Sequence, residues 1–190
     1  MRCAVVRLSI ILIFACALSL PETARAFSLK NPEQAGVAIN LGSSYDPQPT
    51  FRFAQLSLMA LYDYEQIMPH PAPEPLRFKL EGSLGLADDS EQHLLASANF
   101  FALYYLRNLE NGHFRPYVEA GVGVAYGDFQ VDGQGLRFNF NPQAGIGAEW
   151  QTQGSQRCYG ALRAYHISNG NLHRDNRGIN AVALQIGIFF

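Results

Sequence analysis

Two residues in this chain have the types and spacing for nucleophilic chemistry: His166 and Ser168. Residues two apart on a β-strand leave from the same face, so an imidazole and a hydroxyl would stand side by side. A histidine beside a serine is the minimum of a hydrolytic site, because the ring takes the hydroxyl proton as the oxygen attacks a carbonyl. The spacing alone discriminates little, since a polar strand end also produces His-x-Ser. The element that carries the pair, and the side of it they occupy, must decide.

The first 26 residues stand apart from that element. Arg2 and Arg7 mark a positive start, an apolar run extends from Leu8 to Leu20, and Pro21 breaks it. Ala24-Arg25-Ala26 then supplies the small residues of a signal-peptidase site, which makes 1–26 a secretory signal and Phe27 the first mature residue. The competing reading, a lipoprotein signal cleaved before Cys16, fits poorly with Phe14 and with the Leu-Pro-Glu-Thr stretch beyond it. The apolar run is too short for a spanning helix. Removal of the leader leaves Cys158 as a lone thiol, which excludes an internal disulfide and a multi-cysteine metal site. It also leaves 11 basic against 15 acidic side chains, and nothing in that balance suggests nucleic acid.

From Ala35 onward the chain alternates at period two with no convincing helical period. Eight runs emerge, at about 35–44, 51–65, 76–87, 94–107, 114–126, 136–150, 157–169 and 180–190. Clusters such as Asp46-Pro47-Gln48-Pro49, the Pro-rich 69–75 and Asp132-Gly133-Gln134-Gly135 separate them. Eight antiparallel strands of this length suit a small closed transmembrane β-barrel. The last run carries the clearest pattern. Val182, Leu184, Ile186, Ile188 and Phe190 form an apolar row, while Ala181, Ala183, Gln185 and Gly187 alternate with them. A greasy face opposite a small or polar one is what lipid and lumen require, and the final aromatic resembles the signature read by the outer-membrane assembly machinery. In 114–126, Val118, Ala120, Val122 and Val124 share a face; in 51–65, Leu56, Leu58, Ala60 and Tyr62 do. A soluble barrel with an apolar interior is the alternative.

Parity then directs the chemistry. With both termini in the periplasm, odd runs climb outward and run seven ends at the external rim. Arg163 would be costly against hydrocarbon and belongs in the lumen, taking Tyr165 with it. Leu162, Ala164, His166 and Ser168 therefore face lipid, where the partner available is the lipopolysaccharide of the outer leaflet.

His166-Ile167-Ser168-Asn169-Gly170, the Gly178-Ile179-Asn180 opening run eight, and the eight-run layout together resemble the lipid A 3-O-deacylases, the PagL family. The resemblance implies an outer-membrane barrel that hydrolyses the ester-linked acyl chain at the 3-position of lipid A. It implies His166 as general base, Ser168 as nucleophile, and an oxyanion site near Asn169 and Gly170. The family completes its triad with a glutamate twelve residues after the serine; here that position is Asn180. An asparagine carbonyl can orient the histidine but supplies no charge to stabilise imidazolium. Asp175 on the same loop is the other candidate acid.

Other polar groups carry weaker signals. His173, Arg174 and Arg177 could meet lipopolysaccharide phosphates or simply line a solvated loop. His70 between prolines has no second metal ligand at a useful spacing. Asp88, Asp89, Glu91 and His93 form an external polar loop whose spacing does not argue for calcium. Trp150, Tyr104, Tyr105, Tyr126, Phe189 and Phe190 fall near run ends, as interfacial girdles do. The expectation is a leader over 1–26 and an outer-membrane barrel over 27–190, acting as an esterase on lipid A without metal or cofactor. Its partners would be lipopolysaccharide and the assembly machinery, with a homodimer left open. The rivals are a non-enzymatic structural or adhesive barrel and a soluble lipid carrier.

Overall fold

The computed structural model describes residues 31–68, 70–88, 91–152, 154 and 156–190; the leader expected over 1–26, Phe27 and Asp89 lie outside them. The alternating runs form strands β1 (Gln34–Asp46), β2 (Arg52–Asp63), β3 (Leu76–Asp88), β4 (Gln92–Tyr105), β5 (Phe114–Gly127), β6 (Phe138–Phe140), β7 (Gln143–Gln151), β8 (Arg157–Ile167) and β9 (Ile179–Phe189). Each pairs antiparallel with its neighbour, and β9 returns to β1 to close the ring. β6 and β7 are halves of one span. Their register with β5 and with β8 is the same on both sides of Asn141-Pro142, and only the missing N–H of Pro142 interrupts the ladder. The result is a closed eight-stranded antiparallel β-barrel, as the eight runs predict. No helix among the described residues is long and apolar enough to cross a membrane.

The two faces are inverted relative to a water-soluble protein. Ile39, Leu41, Leu56, Leu58, Leu84, Ile146, Leu162 and the row Val182 to Phe190 on β9 are exposed outward. Asn40, Ser57, Lys79, Glu81, Asn99, Glu119, Arg163 and Gln185 are buried inside. A greasy exterior around a polar interior fits a lipid bilayer and overturns the soluble carrier, which needs the reverse. Tyr62 is the exception on the outer face. A short helix, α1 (Tyr64–Ile67), follows β2 directly, and Tyr62 lies buried with Ile67 and Phe78 in a cluster at the strand end.

Four charges in the lumen form one cluster and balance one another. Arg163, 1% exposed, donates from Nε to Glu119 Oε1 at 2.5 Å and from Nη1 and Nη2 to both oxygens of Glu81 at 2.6 and 2.9 Å. Its Nη2 also reaches Gln185 Oε1 at 2.7 Å, and Lys79 pairs with Glu119. Both cations lie over the Phe101 ring, at 4.4 Å for Lys79 Nζ and 4.7 Å for Arg163 Cζ. Such a cluster specifies which faces turn inward, because any single member left alone would be a desolvated charge. Replacing Arg163 by Met removes the bidentate partner of Glu81 and leaves Lys79 alone against two buried carboxylates, and the barrel is expected to lose about 3–5 kcal/mol of stability, read as a lowered midpoint of urea unfolding in lipid vesicles.

Candidate active site

β8 alternates Arg163 and Tyr165 into the lumen with Leu162, Ala164 and His166 outward, the parity expected from the cost of a charge in hydrocarbon. His166 is exposed and Ser168 half-buried, both at the rim opposite the start of β1 and the end of β9. Ser168 stands one residue beyond β8, where its backbone is fixed by a bridge to Phe140: Phe140 N donates to Ser168 O at 2.8 Å and Ser168 N to Phe140 O at 3.1 Å. His166 N donates to Pro142 O at 3.0 Å. The strand therefore holds both backbones while their side chains project outward.

Asn180 lies directly across from His166 on β9, and the two meet: His166 Nδ1 and Asn180 Oδ1 are 2.7 Å apart. An amide oxygen only accepts, so with Oδ1 towards the ring this contact calls for a proton on Nδ1, which in the neutral ring leaves Nε2 as the acceptor. Among the described residues no hydrogen bond joins His166 to the Ser168 hydroxyl. A contact of this kind often tightens only when substrate is bound. Gly178 packs against the ring, and a Cβ there would lie 2.7 Å from His166 Cε1.

Asn169 is fully buried and engaged by the loops. Its backbone N donates to Asn176 Oδ1 at 2.8 Å, and its Nδ2 donates to Gln134 O at 2.9 Å and Asp175 O at 2.7 Å. It thereby ties the 128–137 loop to the 168–178 loop, a link reinforced by Arg177 N donating to Gly133 O at 2.7 Å. Gly170 follows with φ of 61°, a conformation glycine adopts freely, and its missing side chain leaves room for the Phe140 ring. The Gly170 amide has no internal partner among the described residues.

The candidate acids part company. The Asp175 carboxylate faces His173 and Arg174, at 3.8 and 3.7 Å, and makes no contact with His166. Asp46, read in the sequence only as the start of a turn, reaches Asn180 instead: Asn180 Nδ2 donates to Asp46 Oδ2 at 2.9 Å. No local signal could have found it, since the two residues are 134 apart in the chain. His93, near the start of β4, faces Asp128 at 3.5 Å, and the His70 ring lies tilted 5.5 Å from that of Tyr64.

Residues 68–189 match the family model for lipid A 3-O-deacylase (PagL). Lipid A deacylase PagL of Pseudomonas aeruginosa PAO1 is 32% identical over 85 residues, 44% of this chain and 48% of that protein, so the match spans about half the length of the relative. Among solved structures, the outer membrane enzyme PagL superposes with a TM-score of 0.56 at 20% identity, covering 80% of this chain and 98% of that one. Neisserial surface protein A superposes with a TM-score of 0.61 at 12% identity, covering 82% and 94%. These structures share the fold, and the fold does not choose between them; the site must.

Because the His166 ring rests on Gly178, Gly178→Ala should leave the barrel folded yet displace the imidazole. Ester hydrolysis measured in detergent micelles is expected to fall by about 10²-fold, the scale of a 1 Å misplacement of a reacting group.

Proposed function

The chain belongs to the lipid A 3-O-deacylase (PagL) family, and we propose that it is an esterase that removes the ester-linked 3-O acyl chain of lipid A, with Ser168 as nucleophile and His166 as general base. It is a Gram-negative outer-membrane barrel. The observation that carries the reading is the outward-facing pair at the external rim, with His166 oriented through Nδ1 by Asn180.

On this reading His166 Nε2 takes the proton of Ser168 Oγ as that oxygen bonds to the ester carbonyl carbon. The carbonyl oxygen becomes an oxyanion, and the backbone at Asn169 and Gly170 supplies donors. Of those two amides, Gly170's is the one without an internal partner, which favours it. His166 then passes its proton to the departing sugar oxygen, leaving an acyl-serine. Water, deprotonated by the same nitrogen, releases the fatty acid and restores Ser168. Anchoring of the substrate's other chains in the bilayer supplies proximity that a soluble esterase must create by binding.

The wall below the pair supports an acyl substrate. Ala164, Ala144, Ala120 and Ala102 are successive cross-strand partners on β8, β7, β5 and β4, and Ala164 stands two residues before His166 on the same face. Flanked by Val118, Ile146 and Leu162, they leave a trough of about 590 Å³ in the lipid-facing surface. A hydrocarbon chain lying there would present its ester at the rim. The same proposal includes export by the 1–26 leader and recognition of the apolar row on β9 by the assembly machinery.

Mass spectrometry of lipid A from cells producing the protein should show loss of one 3-hydroxyacyl mass, and Ser168→Ala should abolish it. Unchanged lipid A with both proteins in the outer membrane would favour the structural or adhesive barrel. Ala144→Phe, which fills the trough, should slow long-chain esters by about tenfold while sparing short ones, the discrimination expected when a few methylenes lose their contact surface.

A further inference from the structure

Asn180 orients His166 with a neutral amide, and an amide can be turned over. Reversed, it would present N–H to the ring and select the opposite tautomer, with the proton on Nε2 and no base for Ser168. Something must hold the amide one way round. The Asp46 carboxylate lies on its far side, 2.9 Å from Asn180 Nδ2, and a carboxylate only accepts. Its other oxygen accepts from Arg177 Nη2 at 2.6 Å.

We propose that Asp46 is a positioning residue for the hydrolysis: it fixes the Asn180 amide with Oδ1 towards His166, and so keeps the imidazole proton on Nδ1. The inference rests on the esterase reading of His166 and Ser168. Asp46 touches neither substrate nor serine and acts through Asn180. It also sets a full negative charge two hydrogen bonds from the imidazole, where it polarises the amide that faces the forming imidazolium.

A defect in the β1–β9 ladder delivers Asp46 to this place. The register runs residue for residue from Gly36 opposite Phe189 to Ser44 opposite Ala181, then shifts, so that Asp46 rather than Tyr45 faces Asn180. In β1 the even-numbered Ala38, Asn40 and Ser44 are buried inside. Without the shift Asp46 would follow them into the lumen, away from Asn180. Bulges of this kind re-aim a side chain. The shift aligns His166, Asn180 and Asp46 as cross-strand neighbours on one outward face. Arg177, from the loop entering β9, then offsets the charge at the hydrocarbon boundary.

The test is Asp46→Asn, which keeps size but can donate as well as accept, assayed with the whole barrel in micelles. We expect kcat for lipid A deacylation to fall by about 10- to 100-fold with KM within about twofold, the scale of losing a partner that orients a functional histidine. In an Asn180→Glu background a carboxylate meets His166 directly, and there the same substitution should cost less than about twofold. Equal losses in both backgrounds would overturn the proposal, because Asp46 would then act through Arg177 and the loop. Nitrogen-15 spectra of the His166 ring give a readout independent of turnover. The Nδ1–H tautomer in the unsubstituted protein should give way to Nε2–H or a mixture in Asp46→Asn, and an unchanged tautomer sinks the idea. A tautomer change in a barrel that deacylates nothing would uphold the positioning and remove only the substrate assignment.

Discussion

A chain that crosses a bilayer as strands cannot leave backbone N–H and C=O groups open to hydrocarbon, where no water would pair them. The remaining features follow from that constraint. The sheet must close, and β9 must find β1. Away from the bulge before Asp46 and the strand end at Tyr62, closure assigns the residues of each span to the lumen or to lipid by parity. A single Pro142 is tolerated within the sixth span because register holds on both sides of it. The lumen that results is narrow enough that its buried charges answer one another, as Arg163 does with Glu81 and Glu119. That cluster in turn makes the parity hard to reverse, since a one-residue slip of β3 would turn Lys79 and Glu81 towards lipid, and one of β8 would turn Arg163 there.

The same parity separates structural polarity from chemical polarity on one strand. In five residues β8 sends Arg163 and Tyr165 inward to the packed lumen, and Leu162, Ala164 and His166 outward. Chemistry on the outer wall of a barrel has no enclosing cleft, and the site depends on neighbours across strands. Pro142 and Phe140 fix the backbones of His166 and Ser168. Buried Asn169 joins two external loops behind them. On the proposed reading the bilayer would do the rest of the enclosing, holding a lipid substrate's chains where a soluble enzyme would need a pocket.

An asparagine between histidine and aspartate changes how orientation and charge are divided. A carboxylate bonded directly to the ring does both jobs at one position. Here Asn180 makes the contact at 2.7 Å, and the charge stands behind it on Asp46. At the rim this has a physical merit: the ionised group pairs with Arg177 from the loop before β9, while the group that meets the imidazole is neutral and cheaper to desolvate.

The sequence by itself determined the eight spans, the inward course of Arg163 and Tyr165, and the outward course of His166 and Ser168. Those follow from period two and from the cost of charge in lipid, both of which act on adjacent residues. Asn180 was legible only through a family pattern, as the residue standing where a glutamate is expected. Tertiary structure alone decided what lies around it. Asp175, near in sequence, turns to His173 and Arg174, while Asp46 arrives from the first strand. Alternation within β1 would have sent Asp46 into the lumen; a register shift against β9, which exists only once the ring has closed, turns it outward. Strand pairing over such separations depends on closure and on the fit of both ends, and no local pattern records it.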